Sequence, residues 1–180
     1  IESGQQNDMP TITGANKDEC GASPNPDVTR EAFEKQARQR HGADADEFLK
    51  LYPAANDDEA KRASNDAARD QARVSMYLWT QMRAKTAKST AFTYYWTHPL
   101  PGPEIGRYGA FHTSEVPYAF ATLYMSKRPF VDADHKIAET MSSYWVNFIK
   151  TGDPNGKGLA KWPAIARGRG ETMEVGDAFG

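Results

Sequence analysis

The sequence predicts an α/β fold in which a few strands of a mostly parallel sheet are flanked by several helices. A β-branched run at residues 9–16 and a β-branched and aromatic run at residues 91–98 are separated by a long stretch of helical composition. Parallel strands need long crossover connections of this kind, which usually contain helices. The second run, "AFTYYWTH", is apolar at odd and even positions alike, which predicts a strand covered on both faces.

Each predicted strand has its own local signal. In "MPTITGAN" (9–16), β-branched residues precede a glycine and an asparagine, which predicts a brief strand that runs into a loop. "TMEV" (172–175) is compatible with a last, short strand. So few strands make a poor sheet for 180 residues, and we therefore expect the chain to be part of a larger fold.

The helices are predicted from composition, periodicity and capping residues. Asp27 or Thr29 can cap the start of the first helix, and Gly42 can close its end. Asp132 and Gly152 occupy the same positions in the last helix. The predicted helices cover residues 27–42, 45–53, 56–86, 114–125 and 132–152.

Two of these helices carry more specific predictions. The Ala-rich stretch 56–86 is expected to break at "ASND" (63–66), which would give one short and one long helix. In the last helix, apolar residues recur at helical spacing and predict one stripe that faces the core. That stripe consists of Ile137, Met141, Tyr144, Trp145 and Phe148.

Composition argues against several classes of function. The chain has 22 basic and 24 acidic residues, a net charge of −2 and no long basic run, so nothing points to nucleic acid. No segment approaches the ~20 apolar residues that a membrane helix needs. Cys20 is the only cysteine and cannot form an internal disulfide.

The start of the chain is unusual. Ile1 is not an initiator methionine, and residues 1–8 resemble neither a signal peptide nor a strand. We expect residues 1–8 to be a linker or a disordered start, and the chain to be a piece of a longer one.

His112 is the first candidate for chemistry. It lies in "GRYGAFHTSEVPYAF" (106–120), after a predicted strand and the Gly/Pro-rich loop 99–111. A hydrogen-bonded but inert loop histidine is the simpler interpretation. However, catalytic residues of α/β sheets gather after strands, and the small neighbours Gly109 and Ala110 allow another group to approach closely.

The stretch "GANKDECG" (14–21) is the second candidate. It also follows a strand and contains the acids Asp18 and Glu19, which could simply form a solvated turn. Alternatively, one carboxylate could orient a histidine base and stabilise its imidazolium form. An acid after one strand and a histidine after a later one follow the Ser–Asp/Glu–His chain order of α/β-hydrolases.

Three motifs together resemble the type-B carboxylesterases, the family of cholinesterases and para-nitrobenzyl esterases. They are "TGANKDECG" (13–21), "YGAFHTSEVPYAF" (108–120) and "SSYWVNFIKTGDPN" (142–155), in this order. The resemblance runs from about residue 9 to about residue 176. It implies that the chain is the C-terminal portion of an α/β-hydrolase fold, with residues 1–180 a fragment of one catalytic domain.

The resemblance implies roles for individual residues. The triad acid falls on Glu19 and the triad base on His112, and Glu115 matches a buried glutamate that supports the histidine. Trp145 is expected to remain in the core, as is Phe148. Cys20 departs from the glycine usual in the family and could alter the turn beside the acid.

The nucleophile of such a triad is missing from the sequence. No serine stands in the G-x-S-x-G pattern, and the nearest stretch, "GASPN" (21–25), is broken by a proline and an asparagine. We therefore expect the serine and the oxyanion loop upstream, in a missing N-terminal part that would be this chain's partner. The chain alone would be inert.

The function implied is carboxylic ester hydrolysis through an acyl-enzyme, with a small-molecule ester as substrate and no cofactor or metal. "DADH" (132–135) fits the start of a helix better than a metal site. The alternative is a non-catalytic binding or adhesion module, because the same family includes proteins that have lost the triad.

Overall fold

The computed structural model describes residues 1–19, 27–166 and 170–180, and this part of the chain contains one parallel sheet. The strands β1 (Thr11–Asn16), β2 (Ala91–Trp96) and β3 (Thr172–Val175) lie side by side in that order. β2 pairs in parallel with both neighbours. The mostly parallel sheet and its last strand at 172–175 are therefore confirmed. Cys20 and the stretch 21–25 lie outside the described residues.

The helices fill the two crossovers between strands. The first crossover holds α1 (Arg30–His41), α2 (Ala45–Leu51) and α3 (Asp57–Thr86), with a 3₁₀ turn at Gly42–Asp44. The second holds α4 (Ile105–Tyr108), α5 (Val116–Ala119) and α6 (Asp132–Thr151), with a 3₁₀ turn at Leu123–Met125. Within the described residues, no helix combines the length and the apolar character needed to cross a bilayer.

The predicted break at 63–66 is wrong, because α3 is one continuous helix of 30 residues. Asn56 caps its start by accepting a hydrogen bond from the backbone of Glu59. Ala63 is buried against the α1 side of the molecule, and Asp66 pairs with Arg69 one turn later. The carboxylate of Asp66 therefore has a partner other than the helix backbone, and the helix continues through this stretch.

Two other predicted helix boundaries are corrected. The helix expected over 114–125 is split into α5 and a 3₁₀ turn, because Ala121 has a φ of 51° that a right-handed helix cannot accommodate. The start of α6 is not capped by Asp132. Instead, the Asp134 carboxylate accepts the backbone N–H of Val131. The remaining caps, Thr29 and Gly42 of α1 and Gly152 of α6, lie where the sequence predicts them.

The core lies between β2 and α6. Phe92 and Tyr94 of β2 contact Phe148 and Trp145 of α6 edge to face, as the predicted apolar stripe requires. Tyr95, on the opposite face of β2, carries Arg73 of α3 over its ring. The sheet is thus covered by α6 on one face and by α3 on the other, which confirms the expectation for β2.

Residues 1–8 contact the turn between α3 and β2. The carboxylate of Asp8 accepts hydrogen bonds from the backbone of Lys88 and from the backbone and hydroxyl of Ser89. The hydroxyl and backbone N–H groups of this turn lower the pKa of Asp8 to about 2. Gln6 donates to the Thr86 hydroxyl at the end of α3.

A polar cluster, buried at Tyr118 and Asp134 and exposed at Asp177, joins the segment after β2 to α5, α6 and the segment after β3. The two ring nitrogens of His98 lie 2.9 Å from Asp134 Oδ1 and 2.6 Å from Asp177 Oδ1. The Tyr118 hydroxyl donates to the same Asp134 oxygen over 2.6 Å. Burial raises the pKa of Asp134, but the hydrogen bonds from Tyr118, Val131 and His98 outweigh it, so the pKa lies below the usual value.

Asp134→Asn is expected to lower the free energy of unfolding by about 2 kcal/mol at pH 7, the usual cost of breaking a buried, charge-assisted hydrogen-bond cluster. For a protein of this size, that corresponds to about 4–8 °C in Tm. The folded pKa of Asp134 lies below the unfolded one. The natural carboxylate therefore stabilises the fold above about pH 4 and loses that effect as the pH falls further.

Thermal unfolding at pH 7 and at pH 3 measures both effects, with Asp132→Asn as the matched control. Asp132 lies on the same helix turn but is exposed, so its loss is expected to change Tm by less than about 2 °C. Equal shifts for the two variants, or a difference that does not shrink in acid, would contradict the role given to Asp134.

Candidate functional site

Glu19 and His112 meet at the carboxyl edge of the sheet. His112 Nδ1 lies 2.9 Å from Glu19 Oε2. The Glu19 side chain is 14% exposed and the His112 side chain 82% exposed, so a largely buried carboxylate holds a ring that reaches into solvent. This is the spacing and polarity of an acid that orients a histidine.

The register of the strands brings these two residues together. Asn16, at the end of β1, stands beside Trp96, at the end of β2. The hydrogen bonding between β1 and β2 continues one residue past the end of β1, because the Lys17 N–H donates to the Trp96 carbonyl. Glu19 follows β1 and His112 follows β2, so both loops leave the sheet at the same edge.

Asp18 fastens the two loops to each other and to α3. Its backbone N–H donates to the Ala110 carbonyl, and its carboxylate accepts the Ala110 N–H over 2.8 Å. The second oxygen of the carboxylate lies 2.6 Å from Nη2 of Arg69 on α3. The sequence offered Asp18 as a possible solvated turn residue, but the side chain is mostly buried and structural.

Gly109 makes this contact possible. Its φ is +55°, which side-chain-bearing residues rarely adopt, and a Cβ at this position would collide with the Asp18 carboxylate. The glycine is therefore required both by the backbone conformation and by the approach of Asp18.

The turn after His112 is held by buried groups. Thr113 has a φ of 72°, a strained value for a β-branched residue, and the Ser114 N–H donates to the Phe111 carbonyl. The Ser114 hydroxyl accepts a 2.9 Å hydrogen bond from the buried indole of Trp96. The backbone that carries His112 is thus anchored on the end of β2.

Glu115 lies on the inner side of the same loop. Its Oε2 accepts a hydrogen bond from the side-chain amide of Asn16, which is 3% exposed. Burial raises the pKa of Tyr94, and the negative charges of Glu115 and Glu19 raise it further. Two carboxylates therefore lie near one another beneath His112, with Asn16 between them.

The arrangement can accept and return a proton. With Nδ1 held by Glu19, the other ring nitrogen of His112 makes no hydrogen bond within the described part of the chain. That nitrogen can act as a general base toward a group that comes within hydrogen-bonding distance of it. Among the described residues, no three His, Cys, Asp or Glu side chains come close enough to hold a metal ion.

A cleft of about 810 Å³ opens beside the acid. It lies between the free edge of β1 and the helices α1 and α3, and Glu19 contributes to its wall. Its other lining residues include Gly14, Phe33, His41, Ser75 and Trp79. The site is therefore open on the side of the sheet where β1 has no neighbouring strand in the described chain.

Several residues of the site and of the cluster around His98 have no strong signal in the sequence. Asn16 is within the quoted motif, but an asparagine that ends a strand ordinarily indicates only a turn. Arg69 is one of many charged residues on an exposed helix pattern. His98 belongs to no recognisable motif, and its carboxylate partners lie 36 and 79 positions away.

Comparison with protein families gives a match over nearly the whole chain. The model of the carboxylesterase family matches residues 1–179. The chain is 30% identical to the fumonisin B1 esterase of Sphingopyxis macrogoltabida over 96% of its length, and 28% identical to the cocaine esterase of Oryctolagus cuniculus over 86%. It spans about a third of each of these relatives, 33% of their length.

Solved structures give the same fold. A PNB esterase superposes with a TM-score of 0.68 at 23% identity, covering 95% of this chain and 35% of that one. A thermophilic PNB esterase also gives a TM-score of 0.68 at 23% identity. These esterases have the α/β-hydrolase fold, which confirms the fold class predicted from the sequence.

Gly109→Ala is expected to destabilise the protein by about 1–3 kcal/mol, because the residue must adopt a strained φ and displace the Asp18 carboxylate. Gly106→Ala is the matched control. Gly106 has no positive φ, and a Cβ there would meet open space, so its replacement is expected to stay within about 0.5 kcal/mol. Chemical denaturation of the two variants makes the comparison. Equal stabilities would show that Gly109 does not hold the contact with Asp18.

Proposed function

The chain belongs to the carboxylesterase family, and from this membership we propose that the protein of which it is part hydrolyses carboxylic esters. The observation that carries the proposal is the 2.9 Å contact between Glu19 and His112 at the carboxyl edge of the sheet. In this proposal, Glu19 is the triad acid, His112 is the triad base, and a small-molecule ester is the substrate.

The nucleophile and the oxyanion-binding groups lie, in this proposal, in a part of the protein upstream of this chain. The free edge of β1 and the cleft beside Glu19 support the idea that further structure completes the site there. The chain would supply two members of the triad, and the upstream part would supply the third.

The proposed reaction follows from the geometry of the pair. His112 takes the proton of the serine hydroxyl as its oxygen attacks the ester carbonyl, and then gives that proton to the leaving alcohol. Glu19 holds the ring at Nδ1 and offsets its transient positive charge. Water, activated by His112, then releases the acid from the acyl-enzyme and returns the serine.

Glu115 has a supporting role in this proposal. It lies three residues after His112 and accepts a hydrogen bond from buried Asn16 rather than from the histidine itself. Its contribution would be to hold the loop and not to exchange protons.

A fluorophosphonate probe tests the proposal in the full-length protein, because it forms a covalent bond with an activated serine as fluoride leaves. His112→Ala is expected to slow labelling by about 10³–10⁴-fold or more, since it removes the base. His135→Ala is the matched control. His135 is exposed on α6, so its loss is expected to leave the labelling rate unchanged. A folded natural protein that takes up no label would overturn the esterase proposal and favour a non-catalytic binding module.

The chain taken alone is expected to be unreactive toward the same probe and to self-associate. Val74, Tyr77 and Leu78 of α3 are 51%, 44% and 52% exposed, and Phe120 at the end of α5 is 69% exposed. Large apolar groups exposed together indicate a surface that another part normally covers. Size-exclusion chromatography with light scattering measures the association. A clean monomer would contradict the expectation.

A further inference from the structure

We propose that Asn16 is a positioning residue for the Glu19–His112 pair, an inference that rests on the proposed function. Asn16 ends β1 and is 3% exposed. A buried asparagine at a strand end has a desolvation cost unless its polar atoms find partners. Here, the N–H groups of Asn16 donate to Glu19, the proposed triad acid, and to Phe111 and Glu115, which lie on either side of His112, the proposed base.

The backbone of Asn16 fixes the acid. Its N–H donates to Oε1 of Glu19 over 2.7 Å. The other oxygen of the same carboxylate, Oε2, is the one that faces His112. The Asn16 N–H therefore occupies Oε1, leaves Oε2 for the histidine and fixes the plane of the Glu19 carboxylate.

The side chain of Asn16 fixes the loop of the base. Its Nδ2 donates to the carbonyl of Phe111, the residue before His112, over 2.8 Å. The same Nδ2 donates to Oε2 of Glu115, three residues after His112. The one amide group thus uses both of its hydrogens, and its two acceptors bracket the histidine.

This support matters because His112 has little packing of its own. Its side chain is 82% exposed, so neighbouring side chains do not hold the ring in place. The orientation of the ring depends on Glu19 at one end and on the backbone of residues 111–115 at the other. Asn16 is in contact with both of these supports.

An asparagine is the residue type that suits the position. An aspartate of the same size would have no side-chain donors and would add a third carboxylate beside Glu19 and Glu115. Burial raises the pKa of Tyr94, and the charges of these two glutamates already act together to raise it further. An alanine would leave the Phe111 carbonyl and the Glu115 carboxylate without the donor that they share.

The test separates positioning from folding by measuring labelling kinetics in the full-length protein. For a fluorophosphonate probe, the maximal labelling rate reports the chemical step, the half-saturating concentration reports binding, and the final amplitude reports the folded fraction. Asn16→Ala is expected to lower the maximal rate by about 10–100-fold, as expected for misplacing a catalytic group by about an ångström. The half-saturating concentration is expected to change by less than about twofold, and the amplitude to stay that of the natural protein.

Two further variants sharpen the interpretation. Asn16→Asp keeps the size of the side chain but removes its donors, and is expected to be slowed at least as much as Asn16→Ala. Combining Asn16→Asp with Glu115→Gln returns one donor to the pair, now from residue 115, and is expected to recover part of the rate. A double variant no faster than Asn16→Asp would overturn the inference that the hydrogen bond between these positions matters.

The matched control is Asn155→Ala. Asn155 exchanges side-chain hydrogen bonds with the backbone of Trp162, which packs on Phe92 at the opposite end of β2. Its loss is expected to lower Tm while the maximal labelling rate is unchanged. If Asn16→Ala behaves in the same way, with reduced stability or amplitude but an unchanged rate, then Asn16 is only structural and the inference is wrong.

The outcomes also separate this inference from the proposed function. A folded natural protein that is not labelled overturns both. A natural protein that is labelled, and whose Asn16→Ala variant is labelled at the same maximal rate, overturns the role of Asn16 and leaves the esterase proposal standing.

Discussion

The parallel pairing of β2 with both of its neighbours is the constraint on which the rest of the structure depends. It places the last residues of the strands, Asn16, Trp96 and Val175, side by side. The loops that follow β1 and β2 therefore start from adjacent points, and a few hydrogen bonds are enough to hold them together. A shift of one residue in this pairing would turn each side chain of β1 to the opposite face of the sheet and separate Glu19 from His112.

Two histidines lie between β2 and α5, and their surroundings differ in a way that explains what each can do. His98 comes two residues after the strand and faces carboxylates with both of its ring nitrogens. Both ring nitrogens of His98 therefore have partners, and the ring joins the segment after β2 to α6 and to the segment after β3. His112 faces a carboxylate with one nitrogen and solvent with the other. A proton carrier needs this asymmetry, because one nitrogen must stay available for the reaction.

Sequence patterns predicted the parallel sheet and the long helices, because periodicity and capping residues act over a few neighbouring positions. The order of the strands made a pairing of His112 with one of the two acids after β1 possible, but only the resemblance to a family selected Glu19, since 93 positions separate the two residues. The errors have the same origin. Whether "ASND" breaks a helix depends on Arg69 and on the packing of Ala63, and the start of α6 depends on Asp134, whose carboxylate is also held by Tyr118. Arg69 and Asp134 act within one helix turn, but the packing of Ala63 and the hydrogen bond from Tyr118 are tertiary, and no local rule contains them.

The continuous helix α3 has a consequence for how the protein can vary in evolution. Arg69 near its middle holds Asp18 after β1, while Arg83 near its end donates to the Met9 carbonyl before β1. The single helix α3 thus binds the segments at both ends of β1. Inserting or deleting one residue between the two arginines would rotate one of them by about 100° relative to the other. Relatives can therefore exchange many side chains along this stretch, but we expect its length to be kept.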